Sequence, residues 1–115
     1  MTGLGRRVAV VTGGAGAIGR SVAAALTAAD HQVVIMDRTG DVPVDLGEEQ
    51  QVRAAARRVL DQVGRCDVLV HAAAAFDRAD LAYLDVAATV AFLASDGAAA
   101  LTGQVLCTDG GLVMR

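Results

Sequence analysis

The sequence predicts a doubly wound α/β fold, three layers deep, in which a mostly parallel sheet of about five strands lies between helices. Three observations predict it. The apolar run Val8-Ala9-Val10-Val11 leads into Thr12-Gly13-Gly14-Ala15-Gly16-Ala17-Ile18-Gly19, and an alanine-rich helical pattern follows. A second apolar run, Val33-Val34-Ile35-Met36, ends on the acidic Asp37 about twenty residues past that turn. Short apolar runs and helical repeats then alternate along the chain, as crossover helices between parallel strands require.

Arg7 to Val11 reads as a buried parallel strand, because its run is continuously apolar rather than alternating. In Ile18 to Ala29 the residues Ile18, Val22, Ala25 and Leu26 recur at helical spacing, and Asp30-His31 ends the helix. Val33 to Met36 is the second strand. The polar stretch around Gly40 and Pro43 holds a very short third strand at Val42 to Val44. Glu48 to Val63 is an amphipathic helix with Glu48 and Glu49 in its first turn and Gly64 just past its end. Its apolar stripe is Val52, Ala55, Ala56, Val59, Leu60 and Val63. Val68-Leu69-Val70 predicts another buried strand, from whose carboxyl end a loop leaves through Ala72 to Ala75 and Phe76-Asp77-Arg78. Ligands gather at such ends of open sheets. Leu84 to Ala94 is the last helix, and Gln104 to Thr108 the last strand, before Asp109-Gly110-Gly111.

These elements make one domain over residues 1–115, with an apolar fraction of 54% that suits a core of small side chains. A net charge of -3 offers no basic field for a phosphate backbone, which argues against a nucleic-acid partner. Cys66 and Cys107 form no C-x-x-C pair, so both are expected to be small buried hydrophobes rather than parts of a metal site or disulfide. No apolar run reaches membrane-spanning length, and a soluble cytoplasmic chain without a membrane partner is expected. The 10 basic residues are all arginine. The sequence contains no lysine, which bears on the chemistry below.

Strand, glycine turn, helix and a following acid are the parts of a Rossmann-type dinucleotide cradle. Its glycines parse either as Gly14, Gly16 and Gly19 or as Gly13, Gly16 and Gly19. In both, glycine lets the backbone turn sharply and approach a pyrophosphate, which the first helical N–H groups hold. Gly13, Ala15, Gly16, Ala17, Ile18 and Gly19 are therefore the candidate pyrophosphate contacts. The plainer alternative is a turn that only packs helix on strand. Asp37 can accept hydrogen bonds from both ribose hydroxyls of NAD, and its charge repels the extra phosphate of NADP. NAD is the cofactor expected. Arg38 either stacks on adenine or is a solvated loop residue, and Asp45 either contacts adenine or caps the helix after Gly47. His71, near the end of its strand, reads as structural rather than as an acid–base group.

These residues resemble a short-chain dehydrogenase/reductase in two blocks. In residues 1–80 the resemblance lies in the glycine turn, Asp37, the pair Asp45-Leu46 and Val70-His71-Ala72-Ala73-Ala74, where the family has an Asn-Asn-Ala-Gly-like sequence. It implies that Asp45, Leu46, Ala72 and Ala73 line the adenine side of an NAD site. In residues 85–115 it lies in Asp85-Val86-Ala87, Phe92-Leu93-Ala94-Ser95-Asp96, Leu101-Thr102-Gly103-Gln104 and Asp109-Gly110-Gly111, which match the family's last helix and strand. The segment that carries the family's catalytic serine and Tyr-x-x-x-Lys pair is missing between the blocks, as in an internally deleted member. Tyr83 is the one tyrosine, and Ala87 stands where its lysine would fall. The resemblance thus implies an oxidoreductase cradle with no catalytic residues of its own. A non-catalytic nucleotide- or partner-binding module and a nonfunctional deletion product are the alternatives.

The family's fifth and sixth strands fall within the missing segment, which leaves an edge at Val68-Leu69-Val70 open to pairing. The last strand closes it if it adds there in parallel, in the order 3-2-1-4-5. Otherwise the edge is expected to pair with a second copy or a full-length relative.

Overall fold

The computed structural model describes residues 5–72, 83–104 and 106. Its elements run β1 (Val8–Thr12), α1 (Ala17–Ala28), β2 (Gln32–Asp37), β3 (Val42–Pro43), α2 (Glu49–Val63), β4 (Val68–His71) and α3 (Tyr83–Leu93), with a short 3-10 turn at Asp96–Ala98. Among the described residues the sheet has 4 strands in the order β3-β2-β1-β4, every pair parallel.

The central strand decides the layering. All five residues of β1 are buried, and because side chains alternate across a strand, Val8 and Val10 join one core while Ala9 and Val11 join the other. The first core gathers Val34, Met36, Val42 and Val44 with Ala55 and Val59 of α2. The second gathers Val22 and Leu26 of α1 with Ala87 of α3. Helices therefore cover both faces of the sheet.

Local chemistry sets where the elements stop. Gly64 follows α2 in the left-handed conformation (φ 80°) and donates its N–H to Leu60 O, as expected of a glycine there. Asp45 Oδ1 accepts the Gly47 N–H, and Gln51 Oε1 accepts the Asp45 N–H, which fixes the approach to α2. At the other end of the sheet Arg7 donates to Asp96 at 2.8 Å, tying the entry of β1 to the turn after α3.

Four expectations need correction. Among the described residues Val68-Leu69-Val70 lies at the edge of the sheet, and it is not fully buried, with Leu69 56% exposed. In α2 the buried residues are Ala55 and Val59, while Leu60 is 53% exposed and Ala56 is exposed too. Both outcomes have one cause: α2 packs over Val10, Val34 and Met36, and the adjoining cleft, lined by Leu60, Leu69 and Cys66, is open. Cys66 is accordingly exposed rather than buried. Of the expected last strand, Gln104 and Leu106 are not in a strand, while Val105, Cys107 and Thr108 lie outside the described residues.

Asp67 pins β4 to β1. Its Oδ2 accepts the Val8 N–H at 2.7 Å, its own N–H donates to Val8 O at 2.8 Å, and Arg65 grips the carboxylate with Nε at 2.8 Å and Nη2 at 2.7 Å. The Arg65 hydrogen bonds first, and the Val8 N–H second, hold the Asp67 carboxyl below its usual range. A depressed carboxyl stabilises the fold fully above its unfolded value of about 3.9, and the contribution is lost as the pH falls through the lower folded value. Asp67→Asn is therefore expected to lower the Tm at neutral pH and to flatten its decline below about pH 4. Melts of both proteins across pH 2–7 check this.

Candidate functional site

At the carboxyl end of β1 the chain turns sharply. Gly13 has φ 70°, in the left-handed region that glycine enters without a steric cost, and its N–H donates to Met36 O at 2.9 Å. Its carbonyl then accepts the Gly16 N–H at 3.2 Å, which closes the loop. Gly16 is the N-cap of α1 and supplies no side-chain cap, and the first turn of the helix contains no acidic residue. The N–H groups of Ala17, Ile18 and Gly19 open the helix, where no intrahelical carbonyl can reach them. Gly16 and Ala17 are exposed while Gly13, Gly14 and Gly19 are buried, so this positive lip faces outward.

Asp37 meets the loop from the end of β2. Its Oδ2 accepts the Ala15 N–H at 3.1 Å and its Oδ1 accepts the Arg38 N–H at 2.7 Å. An ionised carboxylate has about four acceptor positions, so two stay open for hydroxyls of a ligand. On the far side Arg20 Nε donates to Ala15 O at 2.8 Å, and the loop is gripped from two elements.

Added methyl groups probe each glycine's task. A Cβ on Gly19 would lie 2.3 Å from Gly13 O, and one on Gly14 would lie 2.6 Å from Ile35 Cδ1. A Cβ on Gly16 would meet only Gly13 O, at an ordinary 3.5 Å. Neither backbone angle nor packing demands glycine at position 16, whose φ is -76°. What its missing side chain leaves free is the approach to the helix start. Bare N–H groups, an open lip and a carboxylate one strand away are the donors and acceptor that a dinucleotide requires.

The other expected contacts divide. Arg38 is exposed beside Asp37, and Leu46 is partly buried against the α2 core. Asp45 uses its side chain on Gly47, the helix-entry role, and Ala72 donates its N–H to Thr12 O at 2.9 Å. Ala73 lies outside the described residues. Sequence reasoning gave no role to Thr12, whose buried hydroxyl contacts His71, or to Arg20; the signal for Thr12 was a polar residue closing an otherwise apolar buried strand. Among the described residues no cluster of His, Cys, Asp and Glu suits a metal ion, and no helix is long and apolar enough to cross a membrane.

Comparison with known proteins agrees with this arrangement. The family described as "NAD dependent epimerase/dehydratase family" matches residues 9–92. Short chain dehydrogenase/reductase dpchG of Colletotrichum higginsianum is 35% identical over 97 residues, covering 69% of this chain and 36% of that protein. The 3-alpha-hydroxysteroid dehydrogenase from Pseudomonas sp. B-0831, solved in complex with NADH, superposes with a TM-score of 0.55 at 34% identity, over 59% of this chain and 31% of that one. The TT0495 protein from Thermus thermophilus gives 0.56 at 32% identity, over 77% of this chain and 48% of that one. The chain thus spans less than half the length of each of these three proteins. With most of its length matched by one family and its fold shared with these proteins, the chain belongs to the NAD dependent epimerase/dehydratase family, within the short-chain dehydrogenase/reductase superfamily.

Proposed function

We propose that this chain is the dinucleotide-binding part of a short-chain dehydrogenase/reductase, that it holds NAD(H), and that it has no proton-transfer machinery of its own. The observation that carries the reading is the glycine at position 16: it is exposed, unneeded by the fold, and set at an uncapped helix start beside the Asp37 carboxylate. In this reading the N–H groups of Ala17 and Ile18 hold the pyrophosphate, with Gly13, Ala15, Gly16 and Gly19 shaping the loop. Asp37 takes the adenine ribose, and Arg38, Leu46 and Ala72 border the adenine. A bound nicotinamide ring gives or takes a hydride. Carbonyl reduction also needs an acid within reach of the oxygen, and the Tyr-x-x-x-Lys pair that supplies it in the resembled family has no counterpart around Tyr83. The chain is accordingly read as inactive alone on alcohol or carbonyl substrates.

The open side of β4 supports a partner as well. Leu60 and Leu69 are more than half exposed, and β4 carries neither proline nor a charged residue to block edge pairing. Association with a second copy or a full-length relative through that edge belongs to the same reading.

NADH titration followed by thermal melts tests both parts. A ligand that binds only the native state raises the Tm, by the equivalent of about 2.7 kcal/mol at a hundredfold excess over Kd. Wild type is expected to show that shift and Gly16→Ala to keep its fold while binding NADH more weakly, because its methyl projects into open approach space. No shift in the wild type at millimolar NADH rejects the cofactor reading, and alcohol oxidation by the chain alone rejects the inactive one. A Tm that rises with protein concentration is the result expected of self-association.

A further inference from the structure

Thr12 and His71 make a contact that neither the glycine loop nor the sheet ladder explains. Thr12 closes β1 and is 6% exposed. Its Oγ1 lies 3.0 Å from His71 Nδ1 and 3.4 Å from the Val70 carbonyl oxygen. A hydroxyl has one proton to donate, and a carbonyl oxygen only accepts. Two arrangements satisfy this geometry: the Thr12 proton goes to Val70 O at the longer distance and His71 Nδ1–H donates to Oγ1, or the Thr12 hydroxyl donates to a bare Nδ1. The first, which gives both acceptors a proton, requires the neutral ring to be its Nδ1–H tautomer.

The contact sits where the loop begins. Thr12 and His71 are register partners in the β1–β4 pair, and the next residue, Gly13, starts the left-handed turn whose carbonyl receives the Gly16 N–H. Movement of Thr12 would carry Gly13 with it, and with Gly13 the entry to α1. We propose that His71 is a positioning residue of the dinucleotide site: its Nδ1–H clamps the Thr12 hydroxyl and so fixes the origin of the glycine loop. This rests on the reading of that loop as a dinucleotide cradle.

The clamp has a distinctive response to acid. An imidazolium keeps its Nδ1–H, so the bond to Thr12 survives when the ring takes up a second proton. In the reverse arrangement Thr12 would donate to a bare Nδ1, and protonation would break the contact. Among the described residues, the cleft that β1, β2, α2 and β4 form around the ring is lined by no charged residue, and Cys66 is the one other titratable group lining it.

Two measurements test the proposal. Long-range 1H–15N spectra of the unliganded chain are expected to show His71 as the Nδ1–H tautomer; an Nε2–H ring overturns the clamp whether or not NADH binds. NADH titrations of wild type, His71→Ala and His71→Asn, run at about pH 5 and about pH 8, supply the second. His71→Ala is expected to bind on the order of 3- to 10-fold more weakly with its far-UV spectrum unchanged, the equivalent of one neutral hydrogen bond. His71→Asn, whose amide N–H can replace Nδ1–H, is expected to recover most of that loss. Wild-type affinity is expected to follow the His71→Asn profile between those two conditions. Equal affinity in wild type and His71→Ala, or a wild-type loss on acidification that His71→Asn lacks, overturns the proposal. Absence of NADH binding by the wild type overturns the dinucleotide reading, and the positioning role with it.

Discussion

Gly19→Ala is expected to cost this protein more stability than alanine at either Gly14 or Gly16, and to abolish NADH binding as well. The new methyl would fall 2.3 Å from Gly13 O, 2.6 Å from Gly14 Cα and 3.0 Å from the Gly13 carbonyl carbon. All three are backbone atoms, so no rotamer change relieves them; helix and loop must separate. Overpacking of that kind costs about 1–3 kcal/mol, and contact with backbone favours the upper part of the range. Replacing a helical glycine by alanine returns at most about 1 kcal/mol of propensity, which does not offset it. For a domain of this size each kcal/mol lowers the Tm by roughly 4–8 °C, so a fall on the order of 10 °C is expected. At Gly14 the nearest obstacles are Ile35 side-chain atoms at 2.6 and 2.8 Å, with one backbone atom, Val11 O, at 3.2 Å, and at Gly16 there is an ordinary contact. The melts should thus rank Gly19→Ala below Gly14→Ala, and Gly14→Ala below Gly16→Ala. NADH binding should rank differently, because Gly16→Ala loses affinity without losing the fold. An unchanged Tm for Gly19→Ala would show that the loop does not lie against α1 as described.

That ranking marks how far the sequence could be read. Strand, turn, helix and acid were all legible from Val8 to Asp37, because a continuously apolar run, a glycine cluster and a helical repeat each have a local physical cause. The boundaries of α1, β2, α2 and β4 came within a residue or so of the structure for the same reason. Which glycine did what was not legible. Gly13 is needed for its φ, Gly19 for close approach and Gly16 for neither, and only three-dimensional proximity separates these roles. Burial at the sheet edge was misread for a related reason. Val68-Leu69-Val70 has the composition of a buried strand, but burial depends on what lies over it, and Leu69 faces an open cleft. Asp45 was left between two roles, and its bond to the Gly47 N–H places it in the helix entry.

Asp37→Ala is expected to have the larger effect on cofactor choice. The carboxylate bonds the N–H groups of Ala15 and Arg38 and keeps two acceptor positions, enough for both hydroxyls of an adenine ribose. A hydrogen bond to a charged group is worth about 1.5–3 kcal/mol, so losing even one should weaken NADH by roughly 10- to 150-fold. NADPH has a phosphate where one of those hydroxyls would be, which the Asp37 carboxylate would repel in the proposed binding mode. The same substitution removes that repulsion and leaves Arg38 beside the vacated position, so NADPH should gain relative to NADH. Asp37→Asn separates charge from shape: its amide oxygen still accepts from Ala15, but its charge is gone and its NH2 group cannot accept. If charge governs the choice, Asn should resemble Ala in the NADH-to-NADPH affinity ratio while staying closer to wild type in Tm. Paired titrations of the three proteins with both cofactors, at one fixed ionic strength, give that ratio. A ratio that Asp37→Ala leaves unchanged would remove Asp37 from the ribose and leave it as a clamp on the N–H groups of Ala15 and Arg38.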